Sequence, residues 1–306
     1  MMLSRVASRI YWLSRYIERT ENTARLVNTY HFLLLDLPRG TSVGWEPLPV
    51  ISGAYPLFID HYQRHDERNT VKFLLLDKFN PASLCNSIIN ARENCRTSRE
   101  VLPEQMWEQL NELHNFALSN VGKAVPRRGR FDFLTEIIKR CQQLTGLMAG
   151  TMSQDNTYDF VRIGRNLERA DMTTRVVDIG AMYLQAADGA STVDIHVWTS
   201  MLRALDAYQM YRKDVQLAVT WRAVVGYLLQ NHNLPRSAAH CLDRVEENIA
   251  NLPRSESCLR AIRDVRRQLD TMPIEDLAEL KLHEDVDVLQ VGLSSIHAAI
   301  DQTWFN

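Results

Sequence analysis

The sequence is short of the residues that build tight turns. Its 306 residues include 12 glycines and 10 prolines. That scarcity argues against an all-β fold, which needs many turns. Cysteine is also sparse. The five residues Cys85, Cys95, Cys141, Cys241 and Cys258 are odd in number and form no C-x-x-C pair. This excludes a zinc ribbon or a dense disulfide framework and points to a reduced, cytoplasmic protein. Long apolar runs are missing: Phe32–Leu35 and Phe73–Leu76 are far too short to span a bilayer. Arg5, Arg9 and Arg15 interrupt the N-terminal stretch, so no signal-peptide core is expected there. An excess of one charge is missing too. The net charge of −2 offers no general attraction to nucleic acid or to an anionic membrane, and neither partner is expected.

Recognised chemistry is equally scarce. There is no G-x-S-x-G, no Walker A loop and no G-x-G-x-x-G, so no cofactor is expected. A di-iron bundle would need Glu-x-x-His on two helices, and none occurs. His61 and His65 stand at i, i+4, but no third ligand is evident, and they read as exposed polar side chains with no metal site. Cys241 follows His240, yet adjacent helical residues diverge and make poor nucleophile–base partners. The run Pro126–Arg127–Arg128–Gly129–Arg130 reads as a solvated loop.

What is present is repetition. LSRYIERTENTARLV (13–27) matches IGRNLERADMTTRVV (163–177), with Arg15, Glu18, Arg19, Thr23, Arg25 and Val27 recurring as Arg165, Glu168, Arg169, Thr173, Arg175 and Val177. Trp45 and Ala54-Tyr55 match Trp198 and Ala207-Tyr208. FLLLDKFNPAS (73–83) matches YLLQNHNLPRS (227–237), Glu93-Asn94 matches Glu247-Asn248, and FDFL (131–134) matches VDVL (286–289). Matches in the same order at a nearly constant offset imply duplication. The expected halves are 1–152 and 153–306, packed as one unit.

The fold expected is all-α, a duplicated multi-helix bundle of two similar halves with about six helices each. Ile10, Leu13, Ile17, Thr20, Ala24 and Val27 fall on one helical stripe, and Phe160, Ile163, Leu167, Ala170, Thr174 and Val177 repeat it. Breaks are expected at Leu37–Gly40, near Pro47 and Pro49, at Asn80-Pro81, at Pro103, around Pro126–Gly129, near Gly189, and at Pro235, Pro253 and Pro273. Asn80 is expected to cap a helix with Pro81 at its first position, and Leu234–Ser237 to form the counterpart.

Opposite the first apolar stripe lie Arg15, Glu18, Arg19, Asn22 and Arg25. Such a face is ordinarily wet, with i, i+3 and i, i+4 pairs worth a few tenths of a kcal/mol each. Here Trp12 and Leu26 share its sector, and Met172 and Val176 do so in the second copy, which favours burial. Buried charges must be paired, so Glu18 is expected near Arg165 or Arg169, and Glu168 near Arg15 or Arg19. The arginines outnumber these two glutamates. That surplus suits a carboxylate or phosphate ligand, since guanidinium forks bind such groups through two parallel bonds. A purely structural lock between the copies is the equal alternative.

These residues resemble the alpha-E domain family, helical proteins named for a Glu-Arg motif. LSRVASRIYWLSRYIERTENTARLV (3–27) carries the resemblance most strongly. SIINARENCRTSREVLPEQMWEQLNEL (87–113), RIGRNLERADMTTRVVD (162–178) and LPRSAAHCL (234–242) join it. The resemblance implies an all-helical, bacterial protein associated with ATP-grasp ligases and transglutaminase-like proteins in systems that make or modify peptides. It implies no mechanism. It points to Arg15, Glu18, Arg19, Asn22 and Arg25, with Arg165, Glu168, Arg169 and Arg175. Met172 replaces Asn22 in the second copy, so a symmetric site is not expected.

Two functions follow. One is a binding or accessory module that works with an ATP-grasp ligase and holds a peptide or other anionic ligand. The other is an enzyme with Glu18 or Glu168 as general base in an arginine-lined pocket. A structural bundle that assembles with partners stands beside both.

Overall fold

The computed structural model describes residues 3–36, 44–186, 192–216 and 218–306. Among these residues the chain forms fourteen α-helices and no strand, so the fold is all-α. The first seven are α1 (Ser4–Asp36), α2 (Pro47–Ile51), α3 (Tyr55–His61), α4 (Glu67–Leu75), α5 (Leu84–Arg96), α6 (Glu104–Asn120) and α7 (Arg127–Thr151). The second seven are α8 (Asn156–Ala186), α9 (Thr192–Ala204), α10 (Tyr208–Asp214), α11 (Trp221–Gln230), α12 (Ala238–Ala250), α13 (Glu256–Asp270) and α14 (Glu279–Ile300). No helix among the described residues is long and apolar enough to cross a membrane.

Several helix starts have a local cause. Asp66, Ser83, Thr220 and Ser237 each accept a hydrogen bond from the backbone N–H three residues on, satisfying a donor that helix geometry leaves free. Asn80 is not the cap the sequence suggested. Its side chain instead accepts from Ala82 N at 3.0 Å and donates to Phe73 O at 3.1 Å, which shapes the turn before α5. Ser83 takes the capping role. Pro47 and Pro49 do not break the chain, because both lie in the short helix α2, where the first turn requires no proline N–H. Arg127–Gly129 likewise belongs to the first turn of α7, with Pro126 just before it. The expected breaks at Leu37–Gly40 and Gly189 lie outside the described residues.

The chain divides into two compact units. Unit 1 holds Met1–Asn28, Gly44–Arg165 and Phe305; unit 2 holds Thr29–Val43, Asn166–Trp304 and Asn306. In unit 1, α5 packs on α6 and α6 on α7, while α4 bridges α2 and α5. Phe58 meets Phe73 edge-on, with ring centres 5.1 Å apart. In unit 2, α12 packs on α13 and α13 on α14, while α11 bridges α9 and α12. There Tyr211 meets Tyr227 edge-on at 5.3 Å. Both apolar stripes anticipated on α1 and α8 are buried along their whole length. Full burial of one large aliphatic side chain stabilises by about 1.5–3 kcal/mol, so these stripes are a main source of cohesion.

Within unit 1 the start of α8 lies tightly against α1 at Gly164. A Cβ there would collide with Ser14 Oγ and with the backbone carbonyl of Tyr11. Gly146, in α7, has open space where a Cβ would go. Gly164→Ala should therefore destabilise by about 1–3 kcal/mol, and Gly146→Ala should stabilise by about 0.5–1 kcal/mol. Urea unfolding followed by circular dichroism reads both. A neutral Gly164→Ala would contradict the close approach.

Candidate functional site

The anticipated charged ridge lies in the middle of α1, and it is not wet. Glu18 is 1% exposed, and Arg15, Glu21 and Asn22 are also buried, while Arg19 and Arg25 are half-buried. Helix α1 is thus covered on both its apolar and its charged face. Ionised groups out of water are costly unless compensated, and local partners are visible. Arg15 Nη1 donates to the Tyr11 hydroxyl at 3.0 Å, and its guanidinium carbon lies 5.0 Å from the Trp12 ring centre. Trp12 stacks on Tyr16 at 5.4 Å, and Arg19 lies 5.8 Å from the Tyr16 ring centre. Such cation–π contacts strengthen where water is excluded. One turn on, Arg25 Nε donates to Glu21 Oε1 at 2.9 Å.

Cys141 of α7, also in unit 1, feels the charges of the same ridge. Burial pushes its thiol far above the ordinary range, and the fields of Glu21 and Glu18 add to that, with Arg25 opposing. All five cysteines are buried and none is in a disulfide. Burial also raises Cys85 and Cys95 to about 11. Cys85, Cys95 and Cys141 are thus held as thiols, away from the thiolate that a nucleophile needs.

The ridge on α8 is built differently. Glu168 is buried, and Arg165, Arg169 and Arg175 are half-buried. Arg169 Nη1 donates to Pro235 O at 3.3 Å, and Thr173 Oγ1 to Arg236 O at 2.7 Å. These two bonds fasten α8 to the segment that leads into α12. Arg175 Nε donates to Asp171 Oδ2 at 2.8 Å, repeating the Glu21–Arg25 pair of α1. Of the anticipated residues, Arg15, Glu18, Arg19, Asn22, Arg25 and Arg165 belong to unit 1; Glu168, Arg169 and Arg175 belong to unit 2.

Two polar clusters escaped the sequence reading. The first is Arg130, read as part of a solvated loop but only 1% exposed. Its fork is filled: Nε donates to Ala124 O at 3.0 Å, Nη2 to Val125 O at 2.7 Å and Nη1 to Glu67 Oε1 at 2.7 Å. The guanidinium also lies 5.4 Å from the Trp45 ring centre. Arg127 Nε binds both Glu67 oxygens at 3.0 Å. Beside this node opens a cleft of about 480 Å³ lined by Glu67, Arg68, Gly122, Val125, Pro126, Arg127 and Arg130. The missed signal is periodicity. Once α7 begins at Arg127, Arg130 falls on the buried stripe of Leu134, Ile137 and Cys141.

The second cluster is Asp178, His283 and Asp287, in unit 2. His283 Nδ1 lies 2.6 Å from Asp178 Oδ1, and Nε2 lies 3.7 Å from Asp287 Oδ2. The Asp178 hydrogen bond raises the His283 pKa, against some opposition from burial. The i, i+4 spacing of His283 and Asp287 is readable in the sequence, but Asp178 comes from another helix and is not. The i, i+4 histidines behave otherwise. His61 Nδ1 contacts its own helix at Leu57 O, and His65 Nδ1 lies 3.4 Å from Glu46.

Residues 2–305 match the Alpha-E family, described as a predicted alpha-helical domain with a conserved ER motif, so the fold and the twin Glu-Arg ridges define a member of that helical class. The chain belongs to the Alpha-E family. Its relatives include the uncharacterized proteins Mb2597 of Mycobacterium bovis and Rv2567 of Mycobacterium tuberculosis, each 24% identical over 97% of this chain. The chain spans only 35% of the length of those relatives. No solved structure matches it.

Two outcomes test this geometry. Burial pushes the Glu67 carboxyl up, but the bonds from Arg127 and Arg130 outweigh it and hold the group below the ordinary glutamate range. A lowered folded pKa stabilises above the unfolded value, and that stability is lost as pH falls through the folded value. Glu67→Gln should therefore cost stability at neutral pH, and its unfolding midpoint should converge with that of the wild type in acid. Arg130→Ala should cost about 1–3 kcal/mol at neutral pH, because it leaves two carbonyls without their donors while Arg127 alone still holds Glu67. The cysteines give the other outcome. A thiol reagent should label the native chain slowly and all five sites quickly in guanidinium; rapid native labelling would overturn their burial.

Proposed function

We propose that the chain is a helical binding or accessory module that holds a carboxylate- or phosphate-bearing ligand, such as a peptide, and works with an ATP-grasp ligase in peptide synthesis or modification. The observation that carries this reading is the unequal burial of the Glu-Arg ridges. Glu18 and Glu168 are buried, while Arg19, Arg25, Arg165, Arg169 and Arg175 are half-buried. The accessible charge on these ridges is thus mostly guanidinium, which suits an anion. A glutamate 1% exposed is poorly placed to take a proton from an arriving substrate, so binding is favoured over general-base catalysis by Glu18. The greater length of the relatives fits a module that acts beside other domains.

We also infer that residues 1–152 and 153–306 are duplicated halves. Support comes from their parallel elements: seven helices each, where the sequence suggested about six, with Ser83 and Ser237 capping equivalent helices. Asn86 Nδ2 reaches Lys78 O at 3.1 Å, and His240 Nδ1 reaches His232 O at 2.7 Å at the matching places. The buried positions of α7 and α14 match best as Leu134, Ile137, Cys141, Leu144 and Met148 against Val286, Leu289, Leu293, Ile296 and Ile300. The pairing of FDFL with VDVL would instead set exposed Phe131 against buried Val286.

The test pairs stability with binding in the full chain. Triglutamate and inorganic phosphate serve as calorimetric probes. Arg19→Ala should weaken binding at least tenfold and shift the melting temperature little. Glu18→Ala should destabilise by about 3–5 kcal/mol, as loss of a buried charge does. Equal destabilisation by both, with neither probe bound by the wild type, would leave only a structural lock. ATP-dependent amide formation by the chain alone would overturn the accessory role.

A further inference from the structure

We propose that His283 and Asp287 form a binding site for a divalent transition-metal ion such as zinc, with Asp178 as the carboxylate that orients the histidine. The two ligands stand one turn apart on α14, so both side chains leave the same face. Asp178 comes from α8, within the same compact unit.

Three features of the geometry carry the assignment. First, the imidazole is already oriented. Asp178 Oδ1 lies 2.6 Å from Nδ1, which holds the N–H of that nitrogen and turns Nε2 toward Asp287, where a metal ion would take the place of any Nε2 proton. A metal-bound histidine typically donates its other N–H to a carboxylate in this way. Secondly, Nε2 faces Asp287 Oδ2 at 3.7 Å. That separation is too long for a hydrogen bond. It does suit two atoms on one ion: with metal–ligand distances of about 2.1 Å, it corresponds to an angle of about 120° at the metal. Thirdly, the group is open to solvent on one side. The Asp287 side chain is 56% exposed and that of His283 39%, while that of Asp178 is 14%. An ion can enter without rearrangement, and its remaining positions face water or an incoming anionic group.

The ligand set selects the class of ion. One imidazole and one carboxylate suit zinc and its neighbours better than calcium or magnesium, which prefer all-oxygen shells. Two protein ligands give modest affinity, so the ion is expected to exchange with solution.

The full chain, stripped of metal with a chelator and dialysed, is titrated calorimetrically with zinc chloride at pH near neutral. The wild type should show one saturable site with micromolar affinity. Asp287→Asn and His283→Gln should each weaken it at least tenfold, and Asp178→Asn by about 10–100-fold. Zinc should raise the melting temperature of the wild type but not of Asp287→Asn. Asp287→Asn decides the matter, because its exposed position leaves the fold intact, as circular dichroism verifies. His61→Gln, which removes the other i, i+4 pair, should bind zinc as the wild type does. Wild-type zinc affinity in folded Asp287→Asn and His283→Gln, or no saturable binding by the wild type, would overturn the assignment.

Discussion

The structure depends on one costly arrangement: two long helices that carry ionised groups on the face opposite their apolar stripe and are buried there as well. Glu18 and Glu168 leave water with their helices. A buried carboxylate without compensation would cost on the order of several kcal/mol. Everything near α1 and α8 is therefore constrained to supply donors, aromatic faces or opposite charge. This accounts for the Tyr11–Trp12–Tyr16 cluster around Arg15 and Arg19, and for the pair of Arg25 with Glu21. Cys141 feels the same ridge: burial first, and then the fields of Glu21 and Glu18, push its thiol up.

The two ridges meet this constraint by different means. On α1, aromatic rings lie against Arg15 and Arg19, and Glu21 pairs with Arg25 along the helix. On α8, Arg169 and Thr173 reach backbone carbonyls of the Pro235–Arg236 segment. The matching segment in unit 1, Pro81–Ala82, follows an Asn80 turn that satisfies its own polar groups. If the halves arose by duplication, the Glu-Arg core stayed fixed while its supports diverged. Buried ionic groups change slowly for this reason. Either partner alone is a large penalty, whereas the neutral or carbonyl contacts around them can be exchanged singly.

How much of this was legible follows from which forces act locally. The apolar stripes of α1 and α8 were readable because 3.6-residue periodicity is a property of one segment. The burial of the charged face was readable only indirectly, through Trp12 and Leu26 in the charged sector. Helix starts at α5 and α12 were misplaced by three residues because Asn-Pro and Leu-Pro look like starts. Ser83 and Ser237 hold the free N–H groups instead. Arg130 was missed because three arginines beside a glycine look solvated. Its burial is decided by Glu67, 63 residues away, and by two carbonyls that only the folded turn presents. His283 and Asp287 were visible as a pair, but their orienting partner lies 105 residues away. Long-range polar partners leave no mark on local sequence.

The order in which charge is hidden bears on what the ridges are for. A lock needs equal burial of both signs, since each exposed partner weakens the Coulomb attraction through solvent screening. Here Glu18 and Glu168 are withdrawn, while five of the six arginines keep part of their surface in water. Partial exposure of a guanidinium lowers its desolvation cost. Withdrawn glutamates with partly exposed arginines are the pattern on which the proposed anion-binding role rests, and the same withdrawal is what sets it apart from the proton-abstracting alternative.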